Sequence, residues 1–160
     1  MKKTILMLLL SVGFAYAQNN SLPYNQLMVN GVSLNLSKTQ LLSSLSISGL
    51  PDDYYNEMTG LTYDEYQSGG NSFYFQGNDL VDFTLKDNTF SFMNNSLKVG
   101  ANISVVSSLY PISFANKEVK SGLGFIIINL TSNAGAALDD FVVINYNSSN
   151  VITSIHLGEY

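Results

Sequence analysis

The chain has 160 residues, a formal net charge of −5, one His, no Cys and no Trp, and all seven of its basic residues are Lys. Without Arg there is no bidentate guanidinium clamp for phosphate or carboxylate. The acidic balance excludes the positive field that displaces counterions from nucleic acid, and the missing Cys excludes a disulfide framework.

The chain opens "MKKTILMLLLSVGFAYAQ". Lys2 and Lys3 make a positive start, Ile5 to Phe14 an apolar run, and Ala15-Tyr16-Ala17 a small-x-small cleavage site. This pattern predicts a signal peptide over 1–17, cut after Ala17 to leave Gln18 as the mature N-terminus. The apolar run is shorter than the roughly 20 residues of a membrane span, and no Cys follows it to carry a lipid. The expectation is a bacterial protein exported to the periplasm or beyond, with no membrane anchor in the mature chain. Loss of the 17-residue leader and its two Lys leaves 143 residues with five Lys against twelve Asp and Glu, a net of −7. That length suffices for one domain stabilised by a core, and that charge disfavours anionic lipid surfaces. Triplets such as "NLS" at 35–37 and "NIS" at 102–104 arise by chance in an Asn- and Ser-rich chain and are not read as glycosylation sites.

Residues 18–30 read as a polar lead-in, with Gln18 to Asn25 frayed. In "VSLNLSKTQLLSSL" (32–45), Val32, Leu34 and Leu36 alternate with polar residues and predict a short extended segment. Ser37 and Gln40 are spaced as a capping box, Leu41, Leu42 and Leu45 supply one apolar helical face, and Gly49 with Pro51 ends the helix. The stretch "PDDYYNEMTGLTYDEYQSGG" (51–70) interleaves four Tyr with five carboxylates. It reads as an acidic loop running into a strand at 61–67. "SFYF" and "NDLVDFTL" follow as a hairpin across "QGND".

The same order then returns. Leu97 and Val99 predict an extended segment, Asn102 a cap, and Ile103, Val106 and Tyr110 a helical stripe stopped by Pro111. "GFIIINL" (124–130), "FVVINY" and "NVITSIHL" (150–157) predict three strands, the last two a hairpin across "NSSN". "NDLVDFTL" aligns with "NVITSIHL" at an offset of 72, pairing Leu80 with Ile152, Phe83 with Ile155 and Leu85 with Leu157. The helical segments align at 65. These offsets predict an internal duplication: a first α-β-β-β repeat over 31–93 and a second over 94–160. One helix and three strands bury too little surface to fold alone. The fold class expected is therefore α+β, with the two tandem repeats forming one antiparallel sheet and the short helices packed on one face.

This plan resembles the β-lactamase-inhibitory-protein-like superfold, and a single copy resembles the outer-membrane assembly lipoproteins of the SmpA/OmlA type. Gly100 in "VGANIS" stands where those families carry a glycine ahead of the helix. The resemblance implies an architecture and a protein-binding role in the bacterial envelope or outside it. The inhibitors' disulfides and the lipoproteins' lipidated Cys have no counterpart in this chain, and no residue of either binding surface carries over.

Candidate chemistry is sparse. His156, between Ile155 and Leu157 in an alternating strand, points away from the core. A Ser-His-Asp arrangement with Asp82 or Asp140 has no nucleophile elbow to support it. One His and no Cys do not make a zinc site, the Asp-Asp and Asp-Glu pairs lack the spacing of a calcium loop, and no two carboxylates are fixed for glycoside hydrolysis. The reading is non-enzymatic, with no cofactor and no metal. If Phe83, Leu85, Ile155 and Leu157 face the helices, then Tyr74, Asp82, Thr84, Ser154 and His156 line an open face, joined by the loop tyrosines Tyr54, Tyr55, Tyr63 and Tyr66. "FIIINL" and "FVVINY" are apolar on both faces, which leaves that face either covered or adhesive. The expected function is a secreted or periplasmic protein-binding module with another protein as partner, inhibition of an enzyme being one form this can take. A structural or assembly protein of the envelope is the alternative.

Overall fold

The computed structural model describes residues 21–159. The expected signal peptide and Gln18 lie outside the described residues. The lead-in is not frayed where it is described. Strand β1 (Ser21–Pro23) buries Leu22, and a single 3-10 turn (Tyr24–Gln26) follows. Strands β2 (Met28–Val29) and β3 (Val32–Ser33) then form a tight hairpin. Its turn residues, Asn30 and Gly31, both take positive φ, as a two-residue hairpin loop requires.

Helix α1 (Lys38–Ser44) begins at Ser37 as expected, but the capping box forms differently. The Ser37 hydroxyl donates to Gln40 Oε1 at 2.9 Å, while the Lys38 N–H is satisfied by the carbonyl of distant Asn78 at 3.0 Å. The helix stops before Gly49. Ser46 takes φ +57, the Ile47 N–H bonds the Leu42 carbonyl, and the Ser46 N–H bonds the Ser43 carbonyl. That is a Schellman ending without glycine, closed by buried Ile47.

Four antiparallel strands follow: β4 (Asp52–Asn56), β5 (Leu61–Ser68), β6 (Asn71–Gln76) and β7 (Asp79–Leu85). The acidic stretch expected as a loop is therefore a β4–β5 hairpin, with Asn56 Oδ1 accepting the Met58 and Thr59 N–H groups in its turn. No strand forms at Leu97 and Val99, although Leu97 is fully buried and exchanges backbone bonds with Phe92 and Asn94. Asn102 does cap helix α2 (Ser104–Leu109), its Oδ1 accepting the Ser104 N–H at 2.9 Å. Ile103, Val106 and Tyr110 form the buried stripe. Helix α2 ends ahead of Pro111 as expected, at Leu109 with Tyr110 out of helical geometry, but the proline is also a start. It opens a second short helix, α3 (Pro111–Ala115), because Pro at the first helical position lacks only an N–H that would have no partner there. Strands β8 (Glu118–Lys120), β9 (Leu123–Thr131), β10 (Ala137–Tyr146) and β11 (Ile152–Glu159) complete the chain.

All but the β2–β3 hairpin belong to one sheet. Its order is β1, β9, β10, β11, β7, β6, β5, β4, with β8 sharing the outer edge of β9 with β1. Only the β1–β9 pairing is parallel, so the sheet is mostly antiparallel. The meanders β4–β7 and β8–β11 meet along β7 and β11, where only Leu85 with Ile155 and Thr84 with His156 are in register.

One face of this sheet carries the core. Phe73, Phe75, Phe83, Leu85, Ile126, Ile128, Ile144 and Ile155 pack with Leu41 of α1, Val106 of α2 and the connecting residues Phe90, Phe92 and Leu97. Each such burial contributes about 1.5–3 kcal/mol, and edge-on contact of Phe73 with Phe90 at 5.5 Å adds directional packing. Phe83, Leu85, Ile155 and Leu157 face the helices as the alternation predicts.

Both central strands bulge. Val81 is the extra residue between Leu80 and Asp82 opposite Phe75 and Tyr74, and Thr153 is the extra residue between Ile152 and Ser154 opposite Tyr146 and Asn145. Bulges increase local twist and bend the strand that carries them.

Candidate functional site: the open face of the sheet

Directly paired residues of antiparallel strands share a face, so the register fixes what stands opposite the helices. Tyr74, Asp82, Thr84, Ser154 and His156 are there, with Tyr54 and Tyr63. Tyr55 and Tyr66 are not. Tyr66 lies on the helix side and packs edge-on against Phe75 at 5.7 Å, and Tyr55 shares that side at the sheet's margin.

Two rows order the face. Asp52, Glu65, Tyr74 and Asp82 pair in turn across β4, β5, β6 and β7. Gln67, Ser72, Thr84, His156, Val143 and Ile127 pair across β5, β6, β7, β11, β10 and β9. The sequence pattern does not single out Asp52, Glu65, Val143 and Ile127. Once 52–56 is read as a strand, period-two spacing from Tyr54 and Tyr63 places Asp52 and Glu65 beside them.

The Tyr54 and Tyr74 rings stand 4.8 Å apart, tilted by 54°. Burial pushes the Tyr74 phenol up to about 12; a hydrogen bond from Ser72 opposes this, and the Glu65 and Asp82 carboxylates reinforce it. The hydroxyl is thus a neutral donor at pH 7. Tyr63 is buried, and its hydroxyl lies 3.1 Å from Thr59 Oγ1. Beneath the tip of the β4–β5 hairpin, Met58, Thr59, Tyr63, Val81, Asp82 and Gly158 line a cavity of about 250 Å³. The cavity lies where β7 and β11 have ceased to pair.

Across the seam the chemistry changes. Phe125, Ile127, Phe141 and Val143 share the face with Asn129, Asn145, Ser154 and His156, none of them carboxylates, and Glu118 of β8 pairs with Phe125 at the margin. Burial pushes the His156 imidazole below its ordinary value, and the nearby Lys86 charge adds to this. Its Nδ1 lies 3.5 Å from the Asn145 amide nitrogen, which itself donates to the Ser154 hydroxyl at 2.9 Å. The Phe141 ring covers the strand opposite Gly158, where an added Cβ would sit 3.0 Å from it.

Asp140 does not share the face of His156. It alternates with Phe141 and so lies on the other face, its carboxyl pushed up by burial and then by neighbouring Asp139. Among the described residues no group of three or more His, Cys, Asp and Glu is arranged to hold a metal ion, and no helix is long and apolar enough to cross a membrane. Comparison with family models, curated proteins and solved structures finds no match to this chain.

Proposed function

We propose that the protein is an exported, non-enzymatic binding module that receives another protein on its open sheet face. The observation that carries this reading is the composition of that face. Tyr54, Tyr74, Phe125, Ile127, Phe141 and Val143 present partly exposed rings and branched chains across the sheet, while α1 and α2 pack on the other side and Ile112 and Ser113 of α3 flank Phe125 and Ile127 at the β9 margin. Tyr and Phe provide large contact areas at small rotamer cost, as partner surfaces require. Capture of a partner from the producing bacterium, followed by a Tyr74→Ala, His156→Ala double variant, tests it. Loss of affinity is expected, and full retention excludes this face.

The duplication belongs to the same proposal. The bulged residues Val81 and Thr153 differ by 72 positions, the strand offset. The Lys38 N–H bonds Asn78 and the Ile103 N–H bonds Asn150, which reproduces both 65 and 72. These agreements support two copies of one unit, joined along β7 and β11. Export rests on the leader, and N-terminal sequencing of secreted protein should begin at Gln18.

One observation favours the assembly alternative. Met58 (89% exposed), Val119 (69%) and Leu123 (63%) leave apolar side chains on the two outer hairpins. Self-association through them would appear in sedimentation as a concentration-dependent mass, whereas a binding module stays monomeric.

A further inference from the structure

We infer that the β4–β7 half of the open face takes a basic segment of its partner, with Lys or Arg side chains set along the row Asp52–Glu65–Tyr74–Asp82 and against the Tyr54 and Tyr74 rings. This rests on the open-face reading and adds the partner's chemistry to it.

The argument begins from register. Asp52 stands directly opposite Glu65, and like charges in that relation destabilise a sheet. Glu65 and Asp82 flank Tyr74 on its two sides. The Lys38–Asp64 ion pair, at 2.7 Å, lies on the helix side of the same strands. A cation arriving between Asp52 and Glu65 relieves the repulsion of that pair, with the Tyr74 ring next in the row.

The aromatic groups make the same selection. Tyr54 keeps 41% of its surface exposed, so its ring is available beside that of Tyr74. Tyrosine faces attract ammonium and guanidinium groups and leave carboxylates unattracted. The cavity under the β4–β5 tip adds depth. Its walls are Val81 and Met58, with Tyr63, Thr59 and Asp82 as polar groups. That suits a long aliphatic stem ending in a positive head. The surrounding net charge of −5 draws such a segment in from a distance.

The test is a titration of the ¹⁵N-labelled protein with three synthetic peptides, alternating Lys/Leu, Glu/Leu and Ser/Leu. The Lys/Leu peptide is expected to move the amides of Asp52, Tyr54, Glu65, Tyr74 and Asp82, with affinity falling as salt is added. Glu65→Gln and Asp52→Asn should each weaken it about tenfold. Asp53→Asn removes the same charge from the opposite face of β4 and should change affinity less than about twofold. Equal weakening by Asp53→Asn, or shifts spread over the helix face, overturns the inference as general attraction to an acidic protein. Shifts on the open face from the Ser/Leu or Glu/Leu peptide but not from Lys/Leu overturn it while keeping the open-face reading. Shifts confined to the helix side with all three peptides overturn both. No shift with any peptide overturns the inference and leaves the open-face reading to the double variant.

Discussion

The two halves of the open face share one sheet and one strand order but solve their local problems by different means. On β4–β7 the side chains are tyrosines and carboxylates. The half is tied at its far end by a polar hub, where Asp87 accepts from the Gly70 N–H at 2.7 Å, Asn71 Nδ2 at 2.7 Å and the Thr89 N–H at 2.8 Å. Fully buried Asn71 reaches back, its Oδ1 accepting the Lys86 N–H at 3.0 Å and its Nδ2 donating to the Ser68 carbonyl at 3.0 Å. On β9–β11 the corresponding groups are neutral. Rings lie over glycines, Tyr146 over Gly124 on the core side and Phe141 over Gly158 on the open side. One half is held by hydrogen bonds and the other by close packing. Salt and pH should act on the first, and changes of side-chain volume on the second.

Substitution in the neutral half should have the largest effect. In Gly124→Ala the new Cβ runs into the Tyr146 ring, which is buried and has no room to withdraw. Overpacking of this kind should cost about 3 kcal/mol, read from urea unfolding. In the acidic half, Asp87→Ala removes the acceptor of one Asn71 Nδ2 hydrogen and of the Gly70 and Thr89 N–H groups, at about 2 kcal/mol. Its three donors hold the Asp87 carboxyl well below the usual carboxylate range, the Gly70 N–H foremost. A depressed carboxyl pKa contributes stability above the unfolded value, and that contribution is lost as pH falls below about 4. Asp87→Ala should therefore flatten the acid limb of the stability profile, while Gly124→Ala lowers the profile uniformly.

Tyr54→Ala removes a part-exposed ring and its contact with Tyr74, so about 1 kcal/mol of stability is expected, with a larger loss in partner binding. The smallest effect belongs to His156. Burial disfavours its charged form, so the unfolded chain takes up the proton first and stability declines as pH drops below about 6.5. His156→Gln should abolish that decline in thermal melts between pH 7 and pH 5 and leave the Asp87 limb in place.

Much of the sheet is legible in the residues. The strands from 72 to 85 and from 150 to 157 alternate apolar and polar groups, those from 124 to 146 are short apolar runs, clear turn sequences separate them, and Phe83, Leu85, Ile155 and Leu157 point inward as the alternation requires. Strand β4 is not legible, because "DDYYN" buries no side chain fully and its backbone pairs with β5 alone. The tyrosines are separable in principle. Tyr54 and Tyr55 are adjacent, and Tyr63 and Tyr66 are three apart, so neither pair can share a strand face. Reading 51–60 as a loop removes the parity that distinguishes them. Pro111 is ambiguous for a different reason. The same residue ends one helix and begins another, and its role is set by whether the residues C-terminal to it can continue a helix.

The first described strand has a consequence for the order of assembly. β1 pairs Ser21 with Asn129, a partner 108 positions downstream, and pairs in parallel. Closing so long a loop is slow and is rewarded only once β9 itself has been placed. Strand β1 must therefore wait until the meander of β9 to β11 stands ready. Docking of β1 along β9 is therefore expected late, after β9, β10 and β11 have come together.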